Sequence, residues 1–467
     1  MSFFRVPEKW DAEAEVIVVG AGTAGLPAAI RSAEKGAKVM VLEAWSGPAS
    51  SLAYIAGGTP FVGTDVQKAA GVEDSTERCF AEAMKVSGGD PELYGVLAER
   101  QLDTYQWLIA QGAKVVSVFE APGHSLPRIH RWEGHGAGLL KVLRRKAEEK
   151  GLDIRYKHRA DRLVQDPATG RIIGVRAKHE GKDVYFRATK AVILANGGFI
   201  RNKEMIAEYG PYYVECVPVT PPTHMGDGLR MVLDVGGATY GIGIAVCPSI
   251  SVCTETGHTT IIPNHGAISV NKDGERWCDE MCTEWGTYSP MFRDIVRQDP
   301  HGGLHFNIYD SHIREEASPE AYRQIKEYKA DTIEELAKTV GVNPEGLAKT
   351  VNEYNADIEK YGYDQKFGRK EWGGLHGKEP PPKVERPPFY AMKCKVSISS
   401  LKGGIKINTS AQVVDHYDEP IPGLYAAGEV AGGFCSKPDA YYAGIMTLQA
   451  FVLGKLAAEN AAAESSR

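Results

Sequence analysis

The stretch "EVIVVGAGTAGLPAAIRSAEKGAKVMVLE" (15–43) decides the fold. Residues 15–20 form a β-branched run that reads as a buried strand, residues 26–36 have a short amphipathic helical period closed by Gly36, and residues 37–43 are a second apolar strand. That is a β-α-β unit. Between its first strand and its helix lies G-x-G-x-x-G, with Gly20 allowing the tight turn, Gly22 letting backbone amides approach a pyrophosphate and Gly25 permitting close helix–strand packing around Ala24. Phosphates at such a turn sit on amide N–H groups at a helix N-terminus, where the macrodipole favours negative charge. Glu43, followed by Ala44, ends the second strand and is placed to accept hydrogen bonds from ribose hydroxyls. The spacing predicts a dinucleotide site.

Two further stretches have the same shape of strand running into glycine: "ATKAVILANGG" (188–198), ending in Ala195, Asn196 and Gly197, and "GLYAAGEVAGG" (423–433), which carries Glu429. Both look like strands that end at a ligand. Widely separated glycine-ended strands suit a long cofactor, FAD, lying across one domain, with Glu429 supplying a carboxylate for a ribityl hydroxyl. A single clean nucleotide fingerprint argues against a second, bound nicotinamide.

The texture changes between these strands. From about 241 to 385 glycine-ended strands disappear; "TIEELAKTVGVNPEGLAKTVNEYNADIEKYG" (332–362) is helical in period, and "HGKEPPPKVERPPF" (376–389) is a proline-rich connector. The expected organisation is a Rossmann-like α/β FAD-binding domain, residues 1–240 and 386–467, interrupted by an inserted second domain, residues 241–385. At 467 residues two domains are the natural count. A formal net charge of −6 with no block of like charge argues against a nucleic-acid partner. The eight cysteines form no C-x-x-C pair, so no metal centre is expected, and free thiols suit a reducing compartment. With neither a secretory leader pattern nor an apolar run long enough to cross a bilayer, the expected location is cytoplasmic.

Taken together, the 15–43 stretch, "AVILANGGF", "MGDGLRMVLDVGGA" (225–238), "GAISVNKDGERWCDE" (266–280), "LKGGIKINTSAQVVD" (401–415) and "IPGLYAAGEVAGG" resemble the fumarate reductase/succinate dehydrogenase flavoprotein family over nearly the whole chain. Within it, "AGGTPFVGTDVQKAAGVEDSTE" (56–77) and "AYYAGIMTLQAFVLGKLAA" (440–458) are similar to the 3-ketosteroid dehydrogenases, particularly those forming the 4-ene. The resemblance implies that the inserted domain, 241–385, is an α+β capping domain. It also implies FAD, with Asp227 of the "MGDG" motif among the cofactor's contacts and "SSLAYIAGG" (50–58) running along it. Ser50 and Ser51 would bond the pyrophosphate or cap a turn, and Gly57 and Gly58 would let the backbone approach. That segment has no histidine of the kind that tethers FAD covalently in succinate dehydrogenases, so a non-covalent flavin is expected.

Fumarate reductases carry a histidine just before the pair matching Gly403-Gly404, an arginine where Tyr441 stands, and another arginine after "GERWCDE". Here those places hold Ser399 or Ser400, Tyr441, and the neighbourhood of Glu284. A pocket without these cations neutralises a dicarboxylate poorly. The ketosteroid branch holds its substrate ketone with a tyrosine and a glycine amide, matching Tyr441 and Gly444; Tyr442 is the adjacent candidate, and the Ile445 and Met446 amides would face the flavin pyrimidine edge. Each donor to an oxyanion is worth on the order of 3 kcal/mol. For the proton acceptor the resemblance offers Tyr288, the first tyrosine after "GERWCDE", or Glu284. "HSLPRIHRWEGHG" (124–136) offers His130, Arg131 and His135 near the expected flavin, of which His130 and Arg131 read as structural or phosphate-supporting. The implied activity is desaturation of a cyclic ketone, foremost a 3-oxosteroid at the 4,5-bond, with electrons passed to an unspecified acceptor. Reduction of an enone or unsaturated acid, a cyclohexanone-type substrate, and a non-catalytic flavin carrier are the alternatives.

Overall fold

The computed structural model describes residues 6–47, 50–53, 57–121, 123–242, 246–260, 266–280, 295–299, 301–316, 322, 324–372, 376, 378–437 and 442–466. The chain divides into two compact units: residues 1–210, 219–247 and 399–467 form one, residues 211–218 and 248–398 the other.

The first unit is built on an eight-stranded sheet. Its main path runs Gln412–Val414, Pro420–Ala426, Lys182–Leu194, Ala12–Val19, Val39–Leu42 and Asp153–Arg155, and the hairpin Arg159–Gln165/Ile172–His179 is attached through Lys182–Leu194. The pairs from Pro420–Ala426 to Asp153–Arg155 are all parallel. Strands of a parallel sheet are covered on both faces, which is why they read as unbroken apolar runs; Val16, Ile17 and Val18 have no exposed surface. Helix Gly25–Glu34 buries Leu26 through Ile30 and packs against the C-terminal helix Ile445–Ala463. That last helix is buried continuously from Thr447 to Ala458, as an element apolar all round must be. Its Gly454 lies so close to the nucleotide-motif turn that a Cβ there would stand 2.5 Å from the Ala24 carbonyl oxygen.

The second unit centres on Phe389–Leu401, which pairs antiparallel with His305–Asp310 and Tyr328–Ala330 and parallel with Val217–Pro218. A two-residue strand carries no periodic signal, so the sequence boundary at 241 does not include residues 211–218. The helical stretch expected at 332–362 is two helices, Ile333–Val340 and Pro344–Tyr361. Gly341 takes the left-handed conformation at φ 78°, Asn343 accepts the Glu345 and Gly346 N–H groups, and Pro344 opens the next helix. In this unit the "GERWCDE" stretch is fastened by Arg276, which binds Glu280 and Asp364, while Arg369 also reaches Glu280. Glu284 and Tyr288 lie outside the described residues.

Candidate functional site: the glycine-ended edge of the first sheet

Val19 is in register with both Leu42 and Leu194, and Leu194 with Ala426, so four parallel strands end side by side. The segments that follow them, Gly20–Gly25, Glu43–Ala44, Ala195–Gly198 and Ala427–Glu429, therefore share one edge, the place where open α/β sheets bind ligands.

Gly20 sits at φ 101° with room for nothing larger: a Cβ would lie 2.5 Å from the Ala195 oxygen. A Cβ on Gly25 would lie 1.9 Å from the Gly20 oxygen. Glu43 is buried and binds the same turn, accepting the Ala21 N–H through Oε2 and the Trp45 N–H through Oε1, each at 2.8 Å. Burial raises its pKa against the pull of these amides. Each oxygen keeps a lone pair for a sugar hydroxyl. Ser50 is buried and shares a hydrogen bond with Thr23 at 2.9 Å, which ties the segment at 50 to the glycine turn.

At the next strand end Asn196 has a buried Oδ1 without a partner among the described residues, an acceptor left for a ligand. Gly197 and Gly198 let two side chains close on the backbone: Cβ atoms there would meet His224 Nε2 at 2.5 Å and Glu429 Oε1 at 2.8 Å. Glu429 accepts the Leu401 N–H at 3.0 Å and the Ser51 hydroxyl at 3.5 Å, with His224 Nδ1 3.6 Å away. Burial pushes its pKa up to about 7 and lowers that of His224 to about 4. Because the folded value for Glu429 exceeds its ordinary 4.5, the stability linked to its protonation is full below pH 4.5 and is lost as pH rises towards 7. Thermal unfolding of Glu429→Gln should lack this decline, so the variant gains on the parent by up to about 3 kcal/mol between these limits. Parallel pH curves for the two proteins would refute the assignment.

Asp227 is engaged elsewhere, making a two-pronged bond to Arg159 at 2.7 Å on each oxygen. His130 is structural: Nδ1 donates to the Arg128 carbonyl, leaving Nε2 to accept the Thr64 hydroxyl at 2.8 Å. Arg131 lies over the Phe119 ring.

The C-terminal helix begins at Gly444, whose φ is 75° and whose Cβ position lies 2.6 Å from the Gly58 oxygen. Gly58 is equally tight, 2.4 Å from an Ile129 methyl, and Gly57 is 2.6 Å from the Gly136 Cα. Gly444 accepts the Leu448 N–H through its carbonyl and Ile445 donates to Tyr442, whereas the Gly444 and Met446 amides have no partner among the described residues. These are donors at the positive end of a 19-residue helix.

Tyr441 lies outside the described residues. Tyr442 does not present its hydroxyl to a ligand: the side chain is 3% exposed, and the phenol donates to the Cys79 carbonyl at 3.1 Å. Burial raises its pKa far above the usual range. Arg128 donates to the same phenol at 3.4 Å and is itself wholly buried, with Nε 2.6 Å from Asp74 and Nη1 on Glu82. Although burial opposes it, Arg128 and Ser125 hold Glu82 down at about 2. The His124 ring packs on Tyr442 with centroids 3.9 Å apart. Sequence reasoning did not single out Asp74, Glu82, His124 or Arg128; the acidic run before "STERCFAE" and the arginine in "LPRIHRW" are its faint trace.

The family model for the FAD binding domain matches residues 15–442. The chain belongs to this family of flavoproteins. It is 34% identical over 460 residues to the probable fumarate reductase Ifc3 of Shewanella frigidimarina (strain NCIMB 400), covering 96% of this chain and 74% of that one. The open conformation of a flavocytochrome c3 fumarate reductase superposes with a TM-score of 0.85 at 32% identity, over 97% of this chain and 78% of the other. The 3-ketosteroid-Δ4-(5α)-dehydrogenase of Rhodococcus jostii RHA1, in complex with 4-androstene-3,17-dione, superposes at 0.75 with 27% identity over 98% of both chains. This flavoprotein is thus an FAD-dependent oxidoreductase of the fumarate reductase-like type. The steroid likeness comes from a solved structure, and the reductase likeness from a solved structure and a curated relative alike; both support the wider family. Among the described residues no cluster of His, Cys, Asp or Glu could hold a metal, and no helix is long and apolar enough to cross a membrane.

Proposed function

We propose that this flavoprotein desaturates a cyclic ketone, with a 3-oxosteroid as substrate class and the 4,5-bond as the position. One observation supports this above the others: the Gly444 amide, without a partner among the described residues, opens the C-terminal helix, while the guanidinium that reaches the Tyr442 phenol, Arg128, is enclosed by Asp74 and Glu82. An amide donor suits a neutral carbonyl that gains negative charge during reaction; a dicarboxylate would demand exposed cations. The serines Ser399 and Ser400 ahead of Gly403-Gly404 fit the same chemistry.

When bound, non-covalently, FAD supplies the two-electron acceptor for a hydride from the β-carbon. The chain's own share is electrostatic and protonic. Gly444 N–H, with Tyr441 as the expected second donor, holds the ketone oxygen so that the α-carbon becomes acidic. Tyr288 or Glu284 takes the α-proton. Gly20, Gly22, Ala24 and Gly25 take the pyrophosphate, Glu43 the ribose, and Glu429 a ribityl hydroxyl, while the Met446 amide faces the flavin pyrimidine edge; the Ile445 amide, expected beside it, is instead given to the Tyr442 carbonyl.

A second reading, reduction of an enone or unsaturated acid, is favoured by the name of the curated relative. Anaerobic mixing of the flavin-loaded protein with saturated 3-oxosteroids and cyclohexanones separates the two. Bleaching of the visible flavin band with formation of the enone is expected; an oxidised band that persists with every saturated ketone, alongside reoxidation of chemically reduced protein by enones or fumarate, sinks the desaturase reading.

A further inference from the structure

The peptide that carries the proposed carbonyl donor is itself gripped from behind. We infer that His124 is a positioning residue that fixes and polarises the Ala443–Gly444 peptide, and so sets the strength and direction of the Gly444 N–H. This inference rests on the reading above.

His124 Nε2 lies 2.9 Å from the Ala443 oxygen. A carbonyl has no proton to give, so Nε2 carries the hydrogen and donates it. The tautomer is thereby fixed. Nδ1 is then a lone pair, buried and without a partner among the described residues, in a side chain 7% exposed. A buried acceptor left unpaired costs free energy, so the ring is held in this place by its other contacts: the bond to Ala443 and the face of Tyr442. Burial, aided by the nearby Arg128, lowers the His124 pKa to about 4, which keeps the imidazole neutral with its one proton on Nε2.

The bond matters because of what shares the peptide. In a planar trans peptide C=O and N–H point in opposite directions, so anchoring the Ala443 oxygen towards residue 124 directs the Gly444 N–H away from it. Glycine at φ 75° would tolerate other orientations of this peptide plane, and nothing in Gly444 itself selects one. His124 supplies the selection. A hydrogen bond received at the oxygen also polarises the amide, strengthening its N–H as a donor by about 10–30%. The buried group of Asp74, Glu82, Arg128 and Tyr442 holds the ring in turn, with Tyr442 fastened to the Cys79 carbonyl.

The test compares His124→Phe, which keeps an aromatic ring against Tyr442 but cannot donate, with His124→Gln, which retains an N–H donor. In flavin-loaded protein carrying carbonyl-13C alanine and 15N glycine, the Ala443–Gly444 pair is assigned by its disappearance in Ala443→Ser. The Ala443 carbonyl and Gly444 amide resonances should move upfield in the phenylalanine variant and return most of the way in the glutamine variant. With a cyclic ketone that the parent protein turns over, kcat should fall about tenfold to a hundredfold in His124→Phe, with KM changing far less, and recover in His124→Gln. Unmoved resonances in a folded, flavin-loaded His124→Phe protein overturn the inference, as does a kcat loss that glutamine does not relieve. If the phenylalanine variant does not fold, His124→Leu takes its place under the same criteria. Should no cyclic ketone react with the parent protein, the proposed function fails, while the resonances still decide whether His124 governs this peptide.

Discussion

Arg128→Met is expected to lower the unfolding free energy of the first unit by about 3–5 kcal/mol, the range for removing one member of a buried ion group. The substitution leaves Asp74, 1% exposed, facing Glu82 and the Tyr442 phenol without a counter-charge. A second signature follows from Glu82. In the parent protein its pKa stands at about 2, below the ordinary 4.5, so its pairing contributes stability at neutral pH that is lost as pH falls from 4.5 towards 2. The variant has no such contribution to lose, and the gap between the two proteins should narrow on acidification. Combining Arg128→Met with Asp74→Leu and Glu82→Met should restore most of the deficit, because well-packed apolar side chains of similar volume replace a buried ion group at little cost. Calorimetry from pH 3 to pH 7 checks all three statements; a single variant as stable as the parent at pH 7 would show that the cluster carries no net strain on losing its cation.

The second large effect is on the flavin. Gly25→Val should reduce affinity for FAD by at least about a hundredfold, since overpacking of this kind costs on the order of 3 kcal/mol. Its Cβ would stand 1.9 Å from the Gly20 oxygen, backbone against side chain, with no flexible group to yield. The turn must open, and the amides that would meet the pyrophosphate move with it. Purified Gly25→Val protein should be colourless, and titration with FAD should return little of the flavin band. Gly36→Ala is the control, because a Cβ there meets nothing within 4 Å, although its φ of 87° brings modest strain. A yellow Gly25→Val protein with the parent's affinity would contradict the placement of the cofactor at this edge.

The contrast between what sequence discloses and what it hides has a physical origin here. The strand at 15–19, the turn at Gly20–Gly25 and Glu43 are local: the apolar run and the glycine spacing that define them lie within 29 consecutive letters. The strand ends at Ala195 and Glu429 are legible for the same reason, each a β-branched or aromatic run stopped by glycine. The break at Gly341–Pro344 was spelled out by a left-handed glycine, a capping asparagine and a proline, yet the periodicity on either side conceals it. The cluster behind Gly444 has no local signature. Arg128 is 54 residues from Asp74 and 314 from Tyr442, and its partners stand in polar stretches that read as surface. Tyr442 shows the limit from the other direction: sequence makes it equivalent to Tyr441 as a donor, and its hydroxyl is nevertheless taken up by Cys79.

The strand Pro420–Ala426 completes the first sheet by pairing with Lys182–Leu194, and the last helix covers the nucleotide turn. A ribosome delivering this protein therefore releases Lys182–Leu194 more than two hundred residues before its neighbour is made. Throughout that interval the nascent sheet has an unpaired, apolar flank, a template for association with other chains. Synthesis of the second unit falls inside this window, so that flank has no strand to pair with until residues 420–426 emerge, and the FAD edge is complete only once Glu429 follows them.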